Sequence, residues 1–321
     1  MKGRGSRGEG SVDAVCWRIV LDANLFRGAP VGEIEALRAR GYQVSVSLEG
    51  LREVWARSIR EGEYKLLSAR VARLAPVLSE NDPIAFAGHS LLTTFGTAGR
   101  RLREESARYR SSVSGGWRRI VANGLLEDDW RSIGAELQDE LRDGERNWAQ
   151  HVADAQGIVR QVSAAEKEAG SPLFPRARGS DLMRQSLAKG AGVACVPPLV
   201  ARADLHLRYT TDKLLNAHQR VPAVNDWNDA RHLQHVAWPA FLATCDEGLI
   251  EAADRTGSPQ SAWVRMPIEL IEDRVARCEP WAKGASTLTF RRAPLPELRA
   301  RQEAFRRSLR RQSGSPALAA G

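Results

Sequence analysis

The sequence is poor in the features that mark several whole classes of protein. No apolar run approaches the ~20 residues that cross a bilayer, and the opening MKGRGSRGEG lacks the apolar core of a secretory signal. Neither a membrane span nor secretion is indicated, so a cytoplasmic location is the expectation. Only four cysteines occur, Cys16, Cys195, Cys245 and Cys278, and no two form a C-x-x-C pair. That scatter argues against a zinc knuckle and against a disulfide framework, and leaves them as small buried hydrophobes. No internal repeat of fixed period is present.

What is there is an ordinary globular composition: 321 residues, 43% hydrophobic and 27% charged. Such a chain can bury a large core in one elaborated domain or two smaller ones. The formal net charge of +8 favours a polyanionic partner. Its distribution is uneven, because residues 291–311 hold eight arginines against Glu297 and Glu303. With Leu295, Leu298, Phe305 and Leu309 interleaved, this segment reads equally as a docked amphipathic helix or as a phosphate-binding arm using Arg299, Arg301, Arg306, Arg307, Arg310 and Arg311. The nine tryptophans are expected mainly in cores and helix packings, with some able to stack on unpaired bases.

Along the chain, residues 1–14 read as a flexible basic lead-in. Cys16 to Asp22 is a short apolar run with β-branched members that ends in polar Asp22-Ala23-Asn24, as a buried strand reaching a loop would. A helix carrying Ile34 and Leu37, a strand over Tyr42 to Val46, and a helix capped by Ser47 with Leu51, Val54 and Trp55 on its apolar side follow. This β-α-β-α opening predicts an open parallel sheet of α/β type, three-layered with flanking helices. Residues 61–199 read as a helical insertion, with Glu127 to Gln156 rich in Glu, Arg, Leu and Ala, and with loops at Ser112–Gly116 and Gly170–Ser180. The α/β texture returns with a helix over Asp229 to Val236, a core strand over Ala240 to Thr244, a helix over Glu247 to Arg255 and a strand over Ala262 to Met266. The predicted organisation is a discontinuous α/β domain over 15–60 and 200–285, the insertion between, and a basic helix and tail over 286–321.

Acidic residues stand at the ends of these elements. Asp22 follows the first strand, Glu53 lies one turn into the helix after the second, Asp229 opens the late helix and Asp246 follows the late strand. Residues at the carboxyl ends of parallel strands converge on one rim. Carboxylates gathered there repel one another unless cations neutralise them, which points to Mg²⁺ or Mn²⁺ with oxygen ligands. Two such ions can activate a water and offset charge on the leaving oxygen of a phosphodiester, with no nucleophilic side chain.

The motifs carry a resemblance. Ile19-Val20-Leu21-Asp22-Ala23-Asn24-Leu25-Phe26 resembles the opening motif of PIN domains, and Ser47 six positions before Glu53 resembles their second. Asn225-Asp226-Trp227-Asn228-Asp229-Ala230-Arg231-His232 is similar to the third, and Ala243-Thr244-Cys245-Asp246 to the fourth, a strand ending in T-x-D. The matched parts cover about a third of the chain. The resemblance implies a three-layer, Rossmann-type sheet and a Mg²⁺- or Mn²⁺-dependent endoribonuclease with Asp22, Glu53, Asp229 and Asp246 as catalytic metal ligands. Asn24 would hold Asp22, and Thr244 would orient Asp246 or a phosphate; by position alone, Asp226 reads as a helix cap or an auxiliary ligand, and His232, one turn after Asp229, as a residue within reach of a phosphate. RNA over DNA rests on the resemblance alone, as do settings in RNA processing, toxin–antitoxin control with an inhibitory partner, or phage defence. The long gap between Glu53 and Asp229 and the basic carboxyl terminus depart from compact members of the family.

Each residue also has a plainer reading. Asp22 and Asp246 can cap helices, Asn225, Asp226 and Asp229 fit a capping arrangement, and Glu49 lies one turn before Glu53 on the same face, so the sequence leaves open which glutamate meets a metal. His232 and His235 are spaced three apart rather than four and read as polar surface or rim residues. The competing functions are a non-catalytic RNA-binding or regulatory protein, whether alone or as a homo-oligomer, and a haloacid-dehalogenase-like phosphatase. The latter needs a second acid two residues after the first, where Asn24 stands.

Overall fold

The computed structural model of the chain describes residues 18–80, 83–86, 100–169, 204–215, 224–237, 240–272 and 292–314. The amino-terminal lead-in, Cys16 and Trp17, the expected loop at Gly170–Ser180 and the tail beyond Gly314 lie outside the described residues. β1 (Arg18–Leu21) buries Ile19, Val20 and Leu21 completely, as an apolar run with β-branched members does in the middle of a sheet. β2 (Gln43–Ser47) lies on one side of it and β4 (Ala240–Ala243) on the other, with Leu21 level with Val46 and Ala243. β3 (Ile84–Ala85) extends the sheet beyond β2 and β5 (Val264–Arg265) beyond β4, every pairing parallel. The chain thus starts at the centre, builds to one edge, and then crosses to the other side of β1. The junction of β1 and β4 is the topological switch point, where connections leaving the carboxyl ends part and leave a crevice.

The helices that follow these strands begin at once. α1 (Ala23–Gly28) is capped by Asp22, and α3 (Leu48–Glu61) by Ser47, whose Oγ accepts from the Gly50 N–H at 2.9 Å. Gly62 ends α3 with φ 67°, the left-handed conformation glycine adopts cheaply. α2 (Val31–Ala39) lies between α1 and β2, and α4 (Tyr64–Leu74) follows α3. Arg70 of α4 donates to the Phe26 and Leu25 carbonyls at 2.5 and 3.0 Å, satisfying the end of α1.

Two helices dominate the middle of the chain, α5 (Arg100–Asn123) and α6 (Glu127–Ala169). α5 runs unbroken through Ser112–Gly116, so the expected loop there is absent. Serine and glycine lower helix propensity by only ~1 kcal/mol or less each. Buried Trp117 just beyond them packs on Phe26 at 6.5 Å, and tertiary packing of this kind overrides propensity. α6 docks on α3 through Trp130, whose Nε1 donates to Ser58 Oγ at 2.9 Å while its carbonyl accepts from Trp55 Nε1 at 3.1 Å. The sheet also reaches into the segment expected to be a mainly helical insertion, because β3 pairs with β2; two residues are too short a run to leave a periodic signature.

α7 (Asp204–Leu215) and α8 (Val224–Leu233) lead through a 3₁₀ turn, Gln234–Ala237, into β4. α8 begins five residues before Asp229, which therefore sits inside the helix and not at its cap. α9 (Glu247–Arg255) and a 3₁₀ turn, Pro259–Trp263, precede β5, and α10 (Pro267–Glu272) follows it. That turn shortens the strand expected over Ala262 to Met266. α11 (Leu295–Gly314) settles the reading of the basic carboxyl-terminal segment: it is docked, with Leu298 and Gln302 buried and Gln302 accepting from the Ile268 N–H at 2.8 Å. No helix among the described residues is long and apolar enough to cross a membrane.

Close approach of α3 to the β1–α1 junction requires Gly50, where a Cβ would lie 2.6 Å from Ser47 Oγ and 2.8 Å from the Ala23 nitrogen. Gly115, inside α5, has open space around the same position. Gly50→Ala is expected to lower stability by about 1–3 kcal/mol, and Gly115→Ala to raise it by about 0.5–1 kcal/mol. Denaturant midpoints moving in opposite directions bear this out; equal shifts contradict it.

Candidate carboxylate site

Asp22 leaves β1 buried, with both oxygens engaged. Its Oδ1 accepts from the Leu25 N–H at 2.7 Å, which caps α1, and its Oδ2 accepts from the Thr244 hydroxyl at 2.5 Å. Thr244, wholly buried at the end of β4, in turn accepts from the Asp246 N–H at 2.9 Å. One hydroxyl thereby ties the first acid to the backbone of the last across the switch point. Thr244 holds Asp22 and not the carboxylate of Asp246, and Asn24 is exposed on α1 while Leu25 and Thr244 supply the hydrogen bonds to Asp22. Asp246 caps α9 with Oδ1, accepting from the Leu249 N–H at 3.0 Å. Capping and participation in the cluster are compatible here, because a carboxylate has about four lone-pair sites and a cap takes one.

The two glutamates of α3 have different surroundings. Glu49 is buried between His235, at 3.0 Å, and Arg231, at 3.5 Å. Burial alone would raise its carboxyl, but the hydrogen bond and charge of His235 and the charge of Arg231 outweigh it and bring the pKa down to about 2. Glu49 is committed to an internal ion pair. Glu53, one turn on and half-buried, lies in the fields of Asp246 and Asp22, and burial raises its pKa against the pull of Arg27, Arg57 and Arg60. The surface reading of the histidines is overturned. His235 is buried against Glu49, and His232 is buried with its Nδ1 3.2 Å from Ser47 Oγ, its pKa lowered by burial to about 4. The Nδ1 of His232 is thus taken up by Ser47 at the start of α3.

Asp229 accepts from the Tyr209 hydroxyl of α7 at 3.0 Å, and Asp226 in the first turn of α8 pairs with Lys213, also of α7. Neither tyrosine nor lysine stood out in the sequence; their signal is only an i,i+4 pair on a helix whose partners lie 13 and 20 residues away.

The acids meet through Asp246, whose charge acts on Asp22, Glu53 and Asp229 alike. Burial raises both Asp22 and Asp229 to about 7, opposed by the Thr244 and Tyr209 hydrogen bonds and reinforced by neighbouring carboxylates. Among the described residues, no three of His, Cys, Asp and Glu are close enough to hold an ion between them as they stand. The acids act on one another's charge without forming a closed cage. An all-oxygen, open donor set fits a small hard cation such as Mg²⁺, which keeps several waters and takes only one or two carboxylates from the protein.

The basic helix α11 answers acids of the protein itself. Arg306 forks onto buried Glu33 at 2.6 and 3.1 Å, Arg299 pairs with Glu247, Arg301 with Glu272, and Arg307 with Glu303, while Arg310 and Arg311 are exposed. Arg306 is thereby committed to the interior, while the pairs of Arg299, Arg301 and Arg307 lie at the surface. Comparison with protein-family models, curated proteins and solved structures finds no match to this chain.

The raised Asp22 carboxyl has a consequence for stability. Its folded pKa of about 7 exceeds its ordinary 3.8, so between these values the folded chain binds more protons than the unfolded one, and stability falls as pH rises. In EDTA, Asp22→Asn is expected to gain Tm relative to the wild type by several degrees as pH goes from about 4 to about 7, with no further gain above. A wild-type-to-variant difference that is flat across this window contradicts the assignment.

Proposed function

We propose that this chain is a metal-dependent phosphodiesterase of the PIN type that cleaves RNA, using Asp22, Glu53, Asp229 and Asp246 to hold Mg²⁺ or Mn²⁺. The observation that supports the reading is that the charge of Asp246, at the switch point, acts on Asp22 at the end of β1, on Glu53 in the second turn of α3 and on Asp229 within α8. Burying like charges together is costly, and a divalent cation is the partner that offsets it.

Bound there, such ions lower the pKa of a water and offset negative charge on the phosphodiester. The chain's own groups prepare for this. The Thr244 hydroxyl fixes the Asp22 carboxyl, so ligand geometry is set before any ion arrives. Tyr209 does the same for Asp229, and the ammonium of Lys213 neutralises Asp226, which keeps a fifth charge from adding to the repulsion. With pKa values near 7, Asp22 and Asp229 give up their protons when a cation enters, so activity should rise from mildly acid to mildly alkaline pH. Intact, pre-positioned acids favour catalysis over a purely regulatory role, and the preference for RNA rests on the resemblance to PIN domains.

Labelled single-stranded RNA and DNA incubated with the full chain test the proposal. Cleavage is expected in Mn²⁺ or Mg²⁺ and not in EDTA, with Asp22→Asn slowing it at least about a hundredfold, equivalent to ~3 kcal/mol in the barrier. Equal traces of product from wild type and variant, or none in any metal, would sink it.

A further inference from the structure

An acidic rim repels a polyanion, so an enzyme of this kind needs cations beside it to hold the strand. In the carboxyl-terminal helix Arg306 is committed to buried Glu33, whereas Arg299, Arg301 and Arg307 make only surface pairs. A second group lies closer. On α3, Glu53, Arg57 and Arg60 are spaced i, i+4, i+7 and form one stripe leading from the site towards the end of the helix. Arg27 stands in the last turn of α1, the helix packed beside α3, and its charge acts on Glu53 together with those of Arg57 and Arg60.

All three arginines are exposed. Arg27 and Arg60 form no ion pair among the described residues, and Arg57 makes only an exposed pair with Glu61, of the kind that contributes little and exchanges readily. A helix dipole accounts for a basic residue in the last turn of α1 and of α3 taken singly. It does not account for three guanidinium groups from two helices gathered beside one site carboxylate.

We propose that Arg27, Arg57 and Arg60 form a phosphate-binding track that holds a single-stranded nucleic acid on the Glu53 side of the carboxylate site. The inference rests on the nuclease reading above. Guanidinium forks match backbone phosphates in pairs of hydrogen bonds and carry no sequence preference, so the track sets position rather than specificity. Arg57 and Arg60 stand about one helical turn apart on α3, and Arg27 adds a third guanidinium from α1, so the group can meet more than one phosphate.

The test is binding of labelled oligouridylate to the full chain carrying Asp22→Asn, which prevents cleavage, over a series of salt concentrations. Adding Arg27→Gln and Arg60→Gln together is expected to weaken binding about tenfold or more and to flatten the slope of log K against log salt by about 1.4, two phosphates at ~0.7 each. Arg310→Gln with Arg311→Gln should change both by less than about twofold, and melting temperatures should stay level because all four positions are exposed. Parental affinity and slope in the Arg27/Arg60 variant, or a loss confined to the Arg310/Arg311 variant, would overturn the track while leaving the nuclease reading intact. A parent that binds no single strand at any salt would overturn both.

Discussion

The hydrogen bond from Thr244 to Asp22 is the interaction on which the rest of the site depends. A carboxyl buried at the centre of a parallel sheet, within the fields of two other acids, is costly, and only donors aimed at it keep it in place. The donors are the Leu25 N–H and the Thr244 hydroxyl, one from each side of the switch point. Because the same hydroxyl accepts from the Asp246 N–H, it ties the ends of β1 and β4 just past the last backbone bond between them, from the Asp22 N–H to the Ala243 carbonyl. Gly50 makes room for this junction by letting α3 pass close to Ala23. Strand pairing, helix capping and carboxylate placement here are one arrangement.

Around that junction the other elements act as braces. The Glu49 ion pair with His235 and Arg231, together with His232 against Ser47, ties α3 to α8 and so spaces Glu53 relative to Asp229. Leaving either partner of such a buried pair alone would expose the other to the full desolvation cost, which makes the brace strict. On the opposite side, Arg306 of α11 holds Glu33 and lies 3.4 Å from the Cys245 sulfur, between Thr244 and Asp246 in sequence. The basic carboxyl-terminal helix thus buttresses the turn that carries the site.

Much of this was legible where local and global signals coincide. The apolar run at Ile19–Leu21 and the Ser47 cap are written in three to seven residues each, and they place Asp22 and Glu53 without knowledge of the rest. What was not legible depends on partners far away in sequence. Ser112–Gly116 looks like a loop until Trp117 meets Phe26. Glu49 and Glu53 look alike until His235 arrives from the other end of the chain, and His232 and His235 look polar until α3 covers them. Two-residue β3 has no periodicity to read, and Arg306 of α11 looks free until Glu33 is placed beside it. Spacing carries which face a residue occupies, but not what that face meets.

The central claim is that the four acids receive a cation as a unit organised by Asp246. It is tested most directly by calorimetric titration of the full chain with Mn²⁺ at several pH values, in two buffers of different ionisation enthalpy. The account predicts binding that tightens from pH 6 to pH 8 with release of protons, since Asp22 and Asp229 titrate near 7, and that is lost in Asp246→Asn. Binding that is independent of pH and survives Asp246→Asn unchanged, or no binding at all, would contradict it.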